Sequence, residues 1–446
     1  MMKKLLFLIV FVLAGTMLHA QWIPQVTGFP LPSVGINYIS AVDANVVWAL
    51  GYDGSGGTAE LQVFTRTNNG GTTWTAGSIP GYSTYGTAMI NALDYNTAWV
   101  PLFGPNGGGV LMKTSDGGAT WVQKNTGAFP APDGFPNVVH FFNANDGFCM
   151  GDATGGYFEI YTTTDGGETW TRVPSANIPA PLSGEWGIVG YYSVVGDNVW
   201  FGTQKSRVYK STDKGLTWTV SSLGVAATYI DVAFLTATHG IAIDRGQNAT
   251  ALYETMDGGT TWTLIPYSGP YYTNDFAWVP GTTNTCVCTG AATNMSGCSY
   301  SYDGGHTWTE FNGTNGVQFL ETEWVNTQTG WAGDFTDATT PSTLGGMYKY
   351  NGNLTEILAI DPKEGGISIY PNPGNGNFNF AIAGFQSQDV QINIYNMVGQ
   401  KVFNTTTNQN LISYNQQIDL STLGQGSYIA EIQAGNKIFK EKLVIR

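Results

Sequence analysis

From Tyr38 onward, apolar and polar positions follow one fixed order: an apolar strand, a polar turn, then a short strand centred on a bulky residue. The order recurs seven times. The copies are YISAVDANVVWALG from Tyr38, MINALDYNTAWVPL from Met89, VVHFFNANDGFCMG from Val138, YYSVVGDNVWFG from Tyr191, IDVAFLTATHGIAI from Ile230, FAWVPGTTNTCVCTG from Phe276 and LETEWVNTQTGWAG from Leu320. Their centres are Trp48, Trp99, Phe148, Trp200, Ile241, Cys286 and Trp331. Short alternating runs bounded by Asn, Asp and Gly predict strands joined by tight turns.

Six of these pairs are followed by an eight-residue motif: TNNGGTTW from Thr67, TSDGGATW from Thr114, TTDGGETW from Thr163, STDKGLTW from Ser211, TMDGGTTW from Thr255 and SYDGGHTW from Ser301. Their third positions, Asn69, Asp116, Asp165, Asp213, Asp257 and Asp303, lie 47, 49, 48, 44 and 46 residues apart. A period of about 40–50 residues fits one four-stranded propeller blade. The seventh pair is followed by MYKYNGN from Met347, a decayed copy. The chain is therefore expected to be all-β: a seven-bladed β-propeller, each blade with strands A to D and the motif between C and D. Ring closure has two candidates. The segment QWIPQVTGFP from Gln21 is similar to TWVQKNTGAFP from Thr120, so the N-terminus is the favoured outer strand of the last blade; Leu354–Ala359 is the rival.

In each motif the Asp can accept turn N–H groups, the Gly supplies a backbone angle other residues resist, and the Trp can bury its ring between units. These residues resemble the Asp-box, or bacterial neuraminidase repeat, with Asn69 the one departure at the Asp position. The six third-position residues and the closing Trp74, Trp121, Trp170, Trp218, Trp262 and Trp308 are read as structural rather than catalytic or metal-binding. The repeat unit is also similar to propellers of the photosystem II assembly-factor and sortilin types, which implies a binding scaffold.

The two ends differ from the repeats. Residues 1–20 carry Lys3 and Lys4, an apolar run and Leu18-His19-Ala20, the pattern of a secretory signal peptide cut between Ala20 and Gln21. The propeller is assigned to 21–360 and a linker to 361–366. Residues 367–446 alternate as a small β-sandwich of about seven strands. There, Tyr370, Pro371, Asn372 and Pro373, with Gly376, resemble the type A C-terminal sorting domain of type IX secretion. That resemblance implies export across an outer membrane. It also implies two partners, the type IX machinery and its sortase-like peptidase, and a protein secreted or held at the cell surface.

Charge narrows the partners. Residues 21–361 carry 10 basic and 27 acidic side chains, a net of −17. Nucleic acid is excluded, since phosphate binding needs a basic surface, and neither the apolar run near the start nor any other is long enough to cross a membrane. The four cysteines are Cys149, Cys286, Cys288 and Cys298. A disulfide from Cys298 to Cys286 or Cys288, with Cys288 the first candidate, is expected in an oxidising compartment. No metal site or cofactor is expected, because the histidines lack ligand spacing.

The B–C and D–A loops should share the face opposite the motifs. They carry Glu185 and Trp186, Tyr271 and Tyr272, Phe129, Phe135 and Phe311, and three B strands end in Asp152, Asp244 and Asp334. Rings and carboxylates around a depression suit a glycan. The expected function is binding of an extracellular glycan or protein ligand without catalysis. One alternative is a polysaccharide-degrading glycoside hydrolase with paired carboxylates; another is a structural adhesin component. A sialidase is excluded, because the three arginines it needs have no matching set here.

Overall fold

The computed structural model describes residues 21–446, apart from 58–59, 125–126, 227, 247–250, 338–345, 355–365, 371, 373, 375 and 435–436. The signal segment with Ala20, most of the linker, Pro371 and Pro373 lie outside the described residues, as does most of the rival closing segment. The main break between two compact units falls at Leu354.

Up to that break the chain is a seven-bladed β-propeller. Blade 1 has strands A to D at Val34–Ala41, Val47–Asp53, Val63–Thr67 and Thr75–Ser78. Blades 3 to 6 repeat the order. In blade 2 strand A is split into Gly86–Thr87 and Asn91–Ala92. Pro101 of strand B faces the gap: its carbonyl accepts the Ala88 N–H, but it has no N–H to return. Blade 7 takes Phe319–Asn326, Thr329–Asp334 and Met347–Tyr350 from the end of the repeats and Trp22–Gln25 from the beginning. Trp22 pairs with Tyr350 and Gln25 with Met347. The Trp22 ring is buried against Phe311, Phe319, Trp324 and Tyr350. The N-terminal strand thus covers an edge that would otherwise be open.

The B-strand centres are the core. Trp48, Trp99, Trp200 and Trp331 are fully buried, as is Phe148. At about 25 cal/mol per Å², burying one Trp stabilises by roughly 5 kcal/mol before entropy is counted. The motif tryptophans pack on these centres from the next blade: Trp74 on Trp331, Trp170 on Trp99 and Trp218 on Phe148. Lysines add a second stitch. Lys113 donates to the Gly166 carbonyl at 2.9 Å and Lys349 to the Gly70 carbonyl at 2.6 Å, each from one blade to the next motif turn.

Each motif turn closes on itself. In the second, the Thr120 N–H and hydroxyl donate to the two Asp116 oxygens at 2.9 and 2.6 Å, and the Thr114 hydroxyl donates to Oδ1 at 3.0 Å. The same bonds hold Asp165, Asp213, Asp257 and Asp303. Asn69 keeps the geometry: Oδ1 accepts the Thr73 N–H at 2.9 Å and Nδ2 donates to the Thr73 hydroxyl at 2.8 Å. Bonds from Thr169 and Thr261 hold the Asp165 and Asp257 carboxyls down at about 2.

After Leu354 the described strands form one five-stranded sheet: Gly366–Tyr370, Asn377–Asn396, Lys401–Asp419, Gly426–Ala434 and Lys437–Ile445. The two long strands serve twice. Residues 377–383 pair with the first strand, and 390–396 pair with the fourth. Phe378 and Phe380 from one half share a core with Ile392, Ile394, Ile432 and Leu443 from the other, which makes a sandwich. The seven strands expected become five because two of them run through both halves.

Candidate functional site

A cleft of about 530 Å³ opens on the face of the B–C and D–A loops, opposite the motif turns. That volume is within the range of about 300–1,000 Å³ usual for ligand clefts. It is walled by Pro132–Phe135, Asp152–Gly155 and Gly184–Trp186, with Gly107 at one side. It brings together three of the expected residues, Asp152, Glu185 and Trp186.

Trp186 is 43% exposed. It stands on a loop anchored from below. Glu185 is buried and takes the Thr203 hydroxyl at 2.6 Å, the Leu182 N–H at 2.7 Å and Arg207 Nε–H at 3.0 Å, with a second ion-pair contact to Arg207. Burial raises the Glu185 carboxyl, but the bonds from Arg207, Thr203 and Leu182 outweigh it and leave the group lowered. Gln204 ties the loop again, donating to the Gly184 carbonyl at 2.6 Å and accepting the Trp186 N–H at 3.0 Å. The bulky ring is therefore presented by a rigid mount.

Asp152 meets the same loop. Its Oδ1 accepts Asn137 Nδ2–H at 2.8 Å and the Gly187 N–H at 3.1 Å. Burial nevertheless pushes its carboxyl up to about 6.

The other expected residues lie elsewhere. Tyr271 and Tyr272 are corrected from face to interior: both are buried, Tyr271 against Trp308 and Tyr267. Tyr272 donates its hydroxyl to Glu310 at 3.0 Å. Phe129 and Phe311 are likewise buried, because rings this large next to a strand end fold under the loop into the core. Glu185 belongs to the loop's anchorage rather than its surface. Asp244, on blade 5, is tied to the Thr228 hydroxyl at 2.5 Å and the Gly246 N–H at 2.8 Å. Asp334, on blade 7, is pushed up to about 7 by burial. Neither lines the cleft with Asp152. The Cys288–Cys298 disulfide is also corrected: the two are not joined, all four cysteines are buried thiols, and Cys288 Sγ is turned to the Tyr272 N–H at 3.2 Å. Burial raises the Cys149, Cys288 and Cys298 thiols well above their ordinary range.

A second feature lay outside the sequence reading: carboxylates on the inner strands. Glu321 and Glu323 of blade 7 accept the Ile39 and Ala41 N–H groups of blade 1 at 3.0 and 2.8 Å. Asp275 of blade 6 accepts the Thr322 N–H of blade 7 at 2.7 Å. Asn91 and Ser193 do the same for Phe141 and Phe234. In these inner strands, N–H groups left over by the sheet are satisfied by a side chain of the neighbouring blade. Arg245 binds Asp231 through Nε at 2.9 Å and Asp275 at 3.1 Å, beneath the Tyr191 ring. Burial raises Glu321 well above the carboxylate range and Glu323 to about 8. The signal for these groups was acids at alternate positions of otherwise apolar A strands.

Comparison with known proteins separates the two units. Residues 368–446 match the family described as "Secretion system C-terminal sorting domain". This segment is a type IX sorting domain. It engages the secretion machinery, and the protein is exported to the cell surface or secreted. No described helix is long and apolar enough to cross a membrane. The propeller is similar to the solved structure "YCF48 bound to D1 peptide", at 17% identity and TM-score 0.53 over 75% of this chain and 97% of that one. It is also similar to "YCF48 from Cyanidioschyzon merolae", at 20% identity and TM-score 0.52 over 74% of this chain and 99% of that one. These likenesses concern the fold. No curated protein matches the chain.

Proposed function

We propose that the protein is an exported binding module whose propeller holds a glycan or protein ligand in the cleft beside Trp186, without catalysis of its own. One observation carries the reading: a large ring, 43% exposed, is held out over a cleft by a loop whose Glu–Arg anchor is buried. Tryptophans held in place at a cleft are among the side chains that most often anchor a ligand. The YCF48 fold neighbour was solved with a peptide bound, which agrees with a scaffold for binding.

A glycoside hydrolase needs two free carboxyl groups about 5–10 Å apart. In this cleft Glu185 is saturated by Arg207, Thr203 and Leu182, and the other two expected acids are on blades 5 and 7; Asp133 is the one other acid of the lining beside Asp152, so the release assay below decides this alternative. The type IX tail then serves delivery, and a sortase-like peptidase is its proposed processing partner. The test is a combined glycan and peptide array probed with the chain from Gln21, with reducing-sugar release assayed on each hit. Binding without release, lost in Trp186→Ala, is the expected result. Release abolished by Asp152→Asn would replace this reading with the hydrolase.

A further inference from the structure

The charges in the cleft are one-sided. Of the residues that line it, Asp133, Asp152 and Glu185 are ionisable, and all three are acids. The two nearby arginines are committed elsewhere. Arg207 is paired with Glu185, and Arg172 donates to the Thr154 carbonyl at 3.1 Å with its guanidinium over the Tyr157 ring at 4.2 Å. With Glu185 neutralised by Arg207, two carboxylates remain for a ligand. Both Asp152 hydrogen bonds end on Oδ1, and Oδ2 takes none among the described residues.

The walls are also unusually bare. Gly107, Gly134, Gly155 and Gly184 contribute no side chains, and a Cβ at Gly155 or Gly184 would meet nothing within 4 Å. A chain-like ligand can therefore lie close to the backbone there. Finally, Trp186 is bonded through its own N–H on one side of Gly187, whose N–H reaches Asp152. The loop that carries the ring is thus tied to the carboxylate, and both residues line the cleft.

We propose that this cleft takes an extended polypeptide segment bearing a lysine or arginine, with the alkyl stem along the Trp186 ring and the cation at Asp152 and Asp133. A cation over an indole face is favoured electrostatically, the more so beside carboxylates in a partly desolvated site. The net charge of −17 over residues 21–361 steers a basic segment toward the propeller and repels acidic glycans and acidic peptides. The inference rests on the binding reading above and narrows its ligand.

The experiment titrates the chain from Gln21, at physiological salt, with acetylated peptides Gly-Ser-X-Ser-Gly in which X is lysine, norleucine or glutamate. A neutral cello-oligosaccharide is the fourth probe. The lysine peptide is expected to bind about tenfold more tightly than the norleucine or glutamate peptide. Trp186→Ala and Asp152→Asn should each weaken it by about tenfold, while Glu168→Gln, on the opposite face, should leave it unchanged. Thermal melts check that both cleft variants remain folded. Equal binding of lysine and glutamate peptides, or loss in Glu168→Gln alone, would overturn the inference. Oligosaccharide binding lost in Trp186→Ala, with no peptide bound, would overturn it while leaving the cleft a binding site. Binding of no probe would count against both.

Discussion

Replacing Glu323 with glutamine tests the chemistry of the inner ring. Glu323 Oε2 accepts the Ala41 N–H at 2.8 Å across the junction where blade 7 meets blade 1. Burial, opposed by that bond and assisted by Asp275, raises its carboxyl from 4.5 to about 8. The folded chain therefore holds a proton that the unfolded chain gives up near 4.5. The stability linked to that proton is fully present below 4.5 and is lost as pH rises through about 8. At about 1.4 kcal/mol per pH unit, the span from 4.5 to 8 sets a ceiling on the order of 5 kcal/mol. The side chain is half-buried rather than fully enclosed, so about 2 kcal/mol is the expected size. Glutamine keeps an oxygen for Ala41 and never ionises. Calorimetric melts at pH 5, 7 and 9 should show the parent losing stability toward pH 9 and Glu323→Gln losing about 2 kcal/mol less. Glu323 also raises the Glu321 carboxyl, so the variant lowers Glu321 as well, and that adds to the difference in the same direction. Parallel pH profiles, or a variant equally destabilised at every pH, would refute the argument.

Other perturbations reach other layers. Asp213→Ala removes three hydrogen bonds from an exposed turn and should cost on the order of 1 kcal/mol in urea unfolding, with ligand binding unchanged. Trp22→Ala empties a cluster of four rings at the closing strand and should cost roughly 3–5 kcal/mol, read as a lowered Tm and early exchange of the Lys349 and Asn351 amides. Arg207→Met leaves Glu185 buried without its partner and should cost about 3–5 kcal/mol, with protection lost first around Leu182 and Trp186. Removing 367–446 should leave the propeller unexported; immunolabelling of intact cells that still finds it at the surface would contradict the assigned role of the sorting domain.

Most of the fold was legible because repetition multiplies a weak signal. A single TSDGGATW is an ordinary turn, but six at even spacing, each after a strand pair, define a blade. Closure by Trp22 was readable for the same reason: its segment copies a fourth strand. The candidate site was less legible. Trp186 and Asp152 could be named from loop position, yet Tyr271 and Tyr272 occupy an equivalent position and turn inward. Which way a loop ring points depends on the pocket beneath it, and the pocket is made by other blades. The axial acids were hidden for a related reason. Glu321, Glu323, Asp231 and Asp275 follow no motif, and their partners are the N–H groups and Arg245 of strands distant in sequence. Glu185 was visible as a loop acid, but its saturation by Arg207 and Thr203 needed coordinates.

The central claim is that the ligand is held on the face of Trp186 and Asp152, with the motif turns serving structure alone. Hydrogen–deuterium exchange of the chain from Gln21, with and without the tightest array hit, tests it most directly. The account predicts added protection confined to residues 132–135, 152–155 and 182–187. Protection at the motif turns, such as 115–120 or 212–217, with none around Trp186, would contradict it.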